Sequence, residues 1–486
     1  MKTRLAYIFA CLCAAAILSS CDKDPVPARH SETNLTVKLV VDNESATTKT
    51  TGSETEADLS TESYISTVRL FSVASDLSSV TEITDLEFTA GGSTVKATVP
   101  SNLATGLLYV IANCPSWVTI DTSSYAGFVG SYSGANADIP DIWADNNFMM
   151  VNVQNGITNG TDKAGVAYNI SSSMDPIVHL ERLAVKIKAE PSESINCLPI
   201  GNKIIGNGKE FSVMSMTVDG VALLNCVNSF NLVQRWAQAK NWTEDGCAEQ
   251  ILQSPSYSPD YSRISGYYAN DPASLKFSPV DTVFYCLENN SPIYDILTDK
   301  TYSDYVAGTK MKGRVTALVF RVQVTTASEF TSEVIINEPL IPDPYNGNWT
   351  IITKAGDIDE EARTLFMYKG LCYIDASLLP EKAREGISGP TDYAKLRENG
   401  VNVYEDGYMY YTYWIEDTNY TDDGETYLSV MRNTSYDFTV NTIEAFGDDV
   451  PCGQYISTDP ILKANPKIRV SLKILDWNDV SAHYTL

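Results

Sequence analysis

The clearest alternation of hydrophobic and polar positions lies in the last twenty residues, 467–486. Four apolar residues recur at every second position there: Ile468, Val470, Leu472 and Ile474. A period of two is typical of a half-buried β-strand. At residues 474–475 the phase shifts by one position toward Trp477, which predicts a bulge or a second strand at that point.

A second alternating segment lies near the start of the chain, in residues 34–41. Its apolar positions share one face of the predicted strand: Leu35, Val37, Leu39 and Val41. Residues 42–63 come next; they are polar, contain no aromatic residue and hold one basic residue, Lys49. Because such a stretch buries little apolar surface, we expect an exposed, protease-accessible loop.

The remaining pattern predicts many short strands separated by turn signals, which favours β-sandwiches. The main predicted strands are 65–73, 96–99, 107–112, 148–151, 179–189, 211–218, 283–287, 314–324, 407–415 and 435–443. Two stretches, 377–385 and 392–398, have a helical pattern. The pattern breaks at Glu190-Pro191, where we place a domain boundary. The expected division is therefore 1–20, 21–63, 64–190, 191–466 and 467–486.

The first twenty residues have the pattern of an export signal, with Lys2 and Arg4 before an apolar run and small residues after it. Residues 18–21 (LSSC) form a bacterial lipobox, which predicts cleavage before Cys21 and acylation of that cysteine. An ordinary export signal is the alternative. No later apolar run approaches the length of about 18 residues that a membrane-spanning helix needs. We therefore expect an exported protein that is held by lipid alone.

The net charge of -26, from 61 acidic and 35 basic residues, excludes nucleic acid as a partner class, since phosphates require a basic surface. Seven of the ten cysteines lie beyond Cys21, widely spaced and without a C-x-x-C motif, so we predict no zinc or redox site. One or two disulfides remain open, without an assigned pairing. No cofactor or metal is expected.

Catalytic chemistry has little support in the sequence. The three histidines are His30, His179 and His483, and His179 is more readily explained as a structural residue than as part of a triad. Acidic residues at 417–425 could hold calcium or form a hydrolytic carboxylate cluster from Asp417, Asp422 and Glu425, but the glycine is misplaced for an EF-hand loop. We therefore predict that the chain is not an enzyme.

The aromatic strand 407–415 supports a second class of function. Tyr408, Tyr410 and Trp414 recur on one face and could stack on sugars, although alternating aromatics more often belong to a core. A surface adhesin or glycan-binding lipoprotein would use this face or the irregular segment 234–274. Solvent exposure of these rings separates the two interpretations.

Several segments together resemble the Bacteroidales type V pilins, the fimbrillins, and within them the group of minor-fimbria major subunits. They are residues 18–21 (LSSC), 108–113 (LYVIAN), 181–186 (ERLAVK), 284–289 (FYCLEN), 404–407 (YEDG) with Tyr410-Tyr411, 431–440 (MRNTSYDFTV) and 474–477 (ILDW). Each is weak alone, but their order extends over nearly the whole mature chain.

The resemblance implies an all-β fold of two transthyretin-like β-sandwich domains in tandem, with a few short helices in the C-terminal domain. It also implies export as an outer-membrane lipoprotein precursor that becomes part of a cell-surface fimbrium. A trypsin-like protease would cut behind the first strand, and a C-terminal strand of another subunit would replace that strand by β-augmentation. The partners would be other copies of the chain, other fimbrial subunits and host or bacterial surface receptors.

One feature of the chain bears on its place in a fimbria. The family usually offers an arginine behind the first strand, whereas this chain offers Lys49. If Lys49 is cut, the removable strand carries Leu35, Val37, Leu39 and Val41, and the donor is either 468–474 or 475–484, with Trp477 in the second. If Lys49 is not cut, the chain would be a lipid-anchored basal subunit.

Overall fold

The computed structural model describes residues 33–41, 55–56, 61–153, 157–158, 161–162, 164–172, 174–197, 204–206, 209–211, 213–234, 236–238, 250–252, 267–268, 272–290, 312–313, 315–327, 360–422, 425–455, 461 and 467–477. Strands dominate this part of the chain and its helices are short, so the predicted all-β class is confirmed. Within these ranges, no helix has the length and apolar character to cross a membrane.

Nine of the described strands form one sheet, here called the N-terminal sheet. Their order across the sheet is Val80–Ile83, Val68–Val73, Thr105–Ala112, Met150–Asn152, Ile177–Arg182, Thr33–Val41, Thr94–Val99 and Leu86–Phe88, with Val166–Asn169 also paired to Thr105–Ala112. The first strand, Thr33–Val41, is thus internal although it comes first in the chain.

The N-terminal sheet has an apolar core on each face. One core contains Leu35 and Val37 together with Val110 and Val178, so it joins the first strand to the middle of the sheet. The other core packs Phe71 and Tyr109 against the short helix Tyr125–Phe128 and against Phe230. Because Phe230 belongs to the later part of the chain, this second core also ties the two halves of the molecule together.

The C-terminal half is a sandwich. One wall, here called the tail sheet, has the order Thr55–Glu56, Ile468–Trp477, Thr434–Ile443, Ala184–Cys197 and Phe284–Leu287. The facing sheet contains Val213–Leu224, Ala317–Ala327, Glu360–Ala362 and Tyr408–Trp414. Val185 and Phe438 from the tail sheet meet Phe320 and Tyr411 from the facing sheet in one buried core.

A third sheet of the C-terminal half has the order Lys209–Phe211, Ile204–Gly206, Leu371–Tyr373, Leu365–Tyr368 and Asn402–Tyr404. It is covered by the 3-10 helices Ala376–Leu378 and Glu381–Arg384 and the α-helix Tyr393–Glu398. The α-helix lies where the sequence has a helical pattern, at 392–398. The Asp392 carboxylate accepts a hydrogen bond from the Lys395 N–H at 3.3 Å and caps this helix.

The remaining described elements are short. The two-strand pairs are Trp143–Ala144 with Asn147–Phe148, Ile157–Thr158 with Thr161–Asp162, Ser131–Ser133 with Ser229–Asn231, Cys226–Val227 with Tyr267–Tyr268, Trp236–Gln238 with Gln250–Leu252, Asn289–Asn290 with Ser429–Val430, and Asp417–Asp422 with Glu425–Tyr427. The other 3-10 helices are Ser101–Leu103, Ile139–Ile142, Pro272–Ser274 and Glu405–Gly407.

The chain crosses from one sheet system to the other at Leu183, between Ile177–Arg182 and Ala184–Cys197. The sequence predicts a single strand at 179–189, which is wrong, because two strands meet at Leu183. The domain boundary predicted at Glu190-Pro191 stays a prediction. Residues 190–191 lie inside the second strand, paired with Thr439 and Val440. The residues on both sides of Leu183 are buried, but in different cores, so the apolar alternation continues through the crossing. Hydrophobicity alone therefore does not reveal that the chain changes sheets.

The terminal strand, here called the tail strand, runs from Ile468 to Trp477 without the bulge expected at 474–475. Its pairing with Thr434–Ile443 stays in register there, and the register shift lies between Val440 and Thr442 on the partner strand. Leu475 is buried although it points away from the core side that holds Ile474. Adjacent apolar residues arise here because the end of the strand is covered on both faces.

Candidate functional site

The first strand occupies a slot between two neighbours. It pairs in parallel with Ile177–Arg182, from Lys38 opposite Ile177 to Val41 opposite Leu180. On its other edge it pairs antiparallel with Thr94–Val99. The two ladders meet at Lys38: residues 33–38 pair with Thr94–Val99, and residues 38–41 pair with Ile177–Arg182. The strand is therefore held on one edge along its first half and on the other edge along its second half.

Alternate side chains of the first strand fill the core of the N-terminal sheet. Leu35, Val37 and Leu39 are 4%, 0% and 4% exposed, and Val41 packs at the edge of the same core. Val40, on the opposite face, is 38% exposed. The strand thus inserts a row of apolar side chains between its neighbours, as the alternation at 34–41 predicts.

The tail strand is held differently. Its whole length pairs antiparallel with Thr434–Ile443, while on its other edge Thr55–Glu56 pairs in parallel with Asp476 and Trp477 only. Within the described residues, no strand adjoins the rest of that edge. Among the described strands, the tail strand is therefore an edge strand over most of its length.

Burial along the tail strand follows the predicted alternation only in part. Ile468 is buried, and the next three alternate residues are half-buried against the sandwich core: Val470, Leu472 and Ile474. An open groove of about 1180 Å³ lies beside the start of the strand and is lined by Trp414, Lys467 and Arg469 among others. The strand therefore covers the margin of the core rather than its centre.

The site residues Cys21 and Lys49 lie outside the described residues, as does the side chain of Trp477, whose backbone ends the tail strand. The residues on either side of the segment that contains Lys49 are described and show where this segment begins and ends. Val41 lies in the N-terminal sheet, and Thr55 lies on the tail strand. The segment with Lys49 thus connects the first strand to the end of the tail strand.

The end of the polar run 42–63 is not the exposed loop that its composition predicts. Glu62 is 1% exposed and pairs with the ammonium of Lys186 at 3.1 Å. The Tyr285 hydroxyl donates to the Glu62 carboxylate at 2.6 Å, and the Arg182 guanidinium donates to the Glu62 carbonyl at 2.9 Å. Composition does not predict this burial because the Glu62 carboxylate is held by two partners from the tail sheet, Lys186 and Tyr285.

Burial and the hydrogen bond to Glu62 raise the pKa of Tyr285 well above its ordinary value. The phenol therefore stays protonated and remains a donor to the carboxylate.

Asn113 fixes the segment directly after Glu62. Its side-chain oxygen accepts from the N–H groups of Ser66 and Thr67 at 2.8 and 3.2 Å. Its amide donates to the carbonyls of Tyr64 and Phe148 at 2.7 and 3.0 Å. The segment behind the Lys49 region is therefore attached to the protein independently of the first strand.

Glu62, Arg182 and Lys186 lie where the N-terminal sheet meets the tail sheet, a place here called the junction. The junction also brings together charged residues from the other segments that resemble the family. Arg432 contacts Glu288 at 3.3 Å and Glu181 at 3.7 Å, and its guanidinium also donates to the carbonyls of Asn231 and Leu232. The side-chain oxygen of Asn433 accepts from Arg182 at 3.2 Å. Sequence reasoning did not predict this network; its signal was the presence of charged residues inside otherwise apolar strands.

The aromatic strand Tyr408–Trp414 does not present an exposed row of rings on which a sugar could stack. The Arg321 guanidinium lies over Tyr408 at 4.9 Å, Tyr410 packs on Phe277, and Trp414 stacks on Tyr455. Each of the three rings is at most half-exposed. The glycan-stacking interpretation of this strand is therefore not supported.

The acidic stretch at 417–425 also has a structural explanation in part. Asp417 is buried and accepts a hydrogen bond from the Tyr436 hydroxyl at 2.6 Å. The side chains of Asp422 and Glu425 lie outside the described residues. Within the described part of the chain, no cluster of three or more His, Cys, Asp or Glu side chains could hold a metal ion.

The geometry defines a class of all-β protein with an internal first strand, an edge-strand tail and a charged junction between its sheets. Residues 402–483 match the family model described as "Major fimbrial subunit protein type IV, Fimbrillin, C-terminal". That region, which includes the tail strand, is similar to the fimbrillin C-terminal region, and the fimbrillin resemblance inferred from the sequence is confirmed.

The chain is also similar to solved structures. A fimbrilin from Porphyromonas gingivalis is 15% identical, with a TM-score of 0.41, 93% of this chain covered and 99% of that one. A putative cell adhesion protein from Parabacteroides distasonis is 12% identical, with a TM-score of 0.41, 92% of this chain covered and 99% of that one. At these values the likeness does not determine the role of the chain. No curated protein matches it.

The junction predicts a large effect for Glu62→Gln. The substitution removes the charge that pairs with Lys186, and we expect the free energy of unfolding to fall by about 3 kcal/mol, since breaking a buried ion pair leaves a charge uncompensated. Denaturant unfolding measures this change. The control is Glu398→Gln, which breaks an exposed pair with Lys395 and should change stability by less than about 0.5 kcal/mol. Equal effects of the two substitutions would contradict the assignment of Glu62 as a buried anchor.

Proposed function

We propose that this chain is a structural subunit of a cell-surface fimbria and polymerises by strand exchange. The observation that carries the proposal is the placement of the first strand. It fills an internal slot of the N-terminal sheet, and it joins the rest of the chain through the segment that contains Lys49. The fimbrillin match over residues 402–483 supports the same role.

Removal of the first strand would leave an acceptor groove. Ile177–Arg182 and Thr94–Val99 would each lose a ladder partner, and the positions of Leu35, Val37 and Leu39 would become empty. Burial of such a side chain stabilises by about 1.5–3 kcal/mol, so an empty groove is strongly unfavourable. A replacement strand with apolar residues at alternate positions restores both the ladders and the core.

A cut at Lys49 would separate the first strand without releasing the residues after the cut. Glu62 and Asn113 attach residues 61–67 to the junction and to the N-terminal sheet. Thr55–Glu56 pairs with the tail strand. The walls of the groove therefore keep their anchors once the first strand has left.

The donor is the C-terminal tail of another copy or of another fimbrial subunit. Of the two candidate segments, we favour 475–484 over 468–474, because 468–474 lies wholly within the tail strand and covers the core of its own subunit through Ile468, whereas most of 475–484 follows the end of that strand at Trp477. Beyond Trp477 the chain continues with apolar residues at alternate positions: Val480, Ala482 and Tyr484. A head-to-tail contact of this kind does not close on itself and produces an open filament.

We further propose that the chain reaches the outer membrane as a lipoprotein acylated at Cys21 and then enters the fimbrium. The lipobox at residues 18–21 supports this route. The role is structural rather than catalytic. Adhesion to host or bacterial surfaces would then belong to the assembled fimbria.

A peptide that carries the sequence of residues 33–41 should block polymerisation. Trypsin treatment of the full chain is expected to give a ladder of oligomers on a denaturing gel. An excess of the peptide should refill the empty slot and suppress the ladder at least tenfold, because it restores the original pairing. The same peptide with Val37→Asp and Leu39→Asp is the matched control and should have no effect. A ladder that persists with both peptides would mean that the slot is not the acceptor.

The donor assignment predicts a difference between two neighbouring substitutions. Val480→Asp should weaken the oligomer ladder at least tenfold, because it places a charge in the core of the acceptor. Ser481→Asp, on the opposite face of the inserted strand, should leave the ladder nearly unchanged. Both monomers should unfold at the wild-type temperature. A normal ladder for Val480→Asp would exclude 475–484 as the donor.

The N-terminus of subunits sheared from cells distinguishes a stalk subunit from a basal one. We expect Edman sequencing to start at Thr50, and we expect Lys49→Gln to block this processing. A subunit that retains an acylated Cys21 would instead be the uncleaved, lipid-anchored basal form. That alternative is favoured by the presence of Lys49 where the resemblance implies an arginine.

A further inference from the structure

Two cysteines lie together in the core of the C-terminal sandwich. Cys226 begins the short strand Cys226–Val227, which pairs with Tyr267–Tyr268. Cys286 lies in Phe284–Leu287, opposite Val185 at the edge of the tail sheet. They are 2% and 0% exposed, belong to the same buried cluster, and lie on two short strands that pack on each other.

The backbone beside each cysteine is fixed by the same hydrogen bonds. The carbonyl of Asn225 accepts from the Asn289 amide at 3.5 Å and from the Thr316 hydroxyl at 3.2 Å. The Asn225 amide in turn donates to the carbonyl of Val315 at 2.8 Å. Asn225, the residue before Cys226, is thus hydrogen-bonded to Asn289, three positions after Cys286. This contact links the chain segments that carry the two cysteines.

We propose that Cys226 and Cys286 form a disulfide bond. Both are free thiols in this structure. The oxidant is a disulfide, either of a protein or of a small molecule such as oxidised glutathione. A thiolate of the pair attacks it to form a mixed disulfide and releases one thiol. The second cysteine then attacks the mixed disulfide and releases the other thiol, so the pair loses two electrons and two protons as the S–S bond forms.

The bond forms while the chain folds. Interaction with the Cys226 thiol and burial hold the pKa of the Cys286 thiol well above its ordinary value. Since the thiolate is the reactive species, the buried pair is a poor nucleophile once the sandwich has closed. Burial also raises the pKa of Cys372 and of Cys452 to about 12. Cys372 lies in the strand Leu371–Tyr373 of the third sheet, and Cys452 belongs to a separate buried cluster.

The crosslink would close the chain between residues 226 and 286 and so tie together both ends of the irregular segment 234–274. It would also fix the strand that carries Tyr285, the donor to Glu62 at the junction. The bond would therefore stabilise the sandwich and hold one wall of the junction. The pairing does not depend on the proposed fimbrial role.

Refolding of the full chain with reduced and oxidised glutathione tests the proposal directly. After refolding, free thiols are alkylated in denaturant without reductant, and the protein is digested and analysed by mass spectrometry. We expect a linked peptide pair that contains Cys226 and Cys286, and an alkylated Cys372. Recovery of both cysteines in alkylated form, or a different pairing of either one, would overturn the proposal.

Stability provides a second readout. Reductant should lower the melting temperature of the refolded wild-type chain by about 5–10 °C, because the open chain gains conformational freedom on unfolding. The double variant Cys226→Ala and Cys286→Ala should lose this reductant dependence, whereas Cys372→Ala should retain it. If reductant leaves the wild-type melting temperature unchanged, the proposed crosslink is absent.

Discussion

An internal strand cannot leave a sheet without exposing two rows of main-chain hydrogen-bonding groups, and this constraint governs the N-terminal half of the molecule. The slot between Ile177–Arg182 and Thr94–Val99 is filled by residues from the start of the chain. Since the first strand also supplies Leu35, Val37 and Leu39 to the core, the sheet depends on a segment that a single cut would detach. Any process that removes this strand creates a site with a defined length, direction and side-chain pattern.

The buried charged residues explain how the rest of the protein could stay folded after removal of the first strand. Glu62 connects the early chain to Lys186 and Tyr285, while Arg432 connects the late chain to Glu181 and Glu288. Buried ion pairs contribute little net stability compared with apolar packing, but their geometry is specific and a broken pair is strongly unfavourable. The junction therefore fixes where the two sheets meet, and it does so without using the first strand.

The sequence determines the local elements well and their pairing poorly. The alternation at 34–41 and 468–474 and the helical pattern at 392–398 are local patterns, and the corresponding strands and helix are found. The crossing at Leu183 was missed because apolar residues continue through it into a second core. Glu62 was missed because its partners lie 120 or more residues away, as with Lys186 at a separation of 124, and composition gives no information on such pairs.

The first and tail strands differ in a way that would give the proposed strand exchange a direction. The tail strand has one full-length partner and half-buried alternate residues, whereas the first strand has two partners and fully buried ones. While the first strand fills the slot, the tail of another copy has no internal strand edge to pair with and would bury little apolar surface. Once the slot is empty, the proposed donor segment would gain two ladders and several buried side chains, each of which stabilises by about 1.5–3 kcal/mol. Under the proposed strand exchange, loss of the first strand would therefore shift the preferred state from monomer to filament.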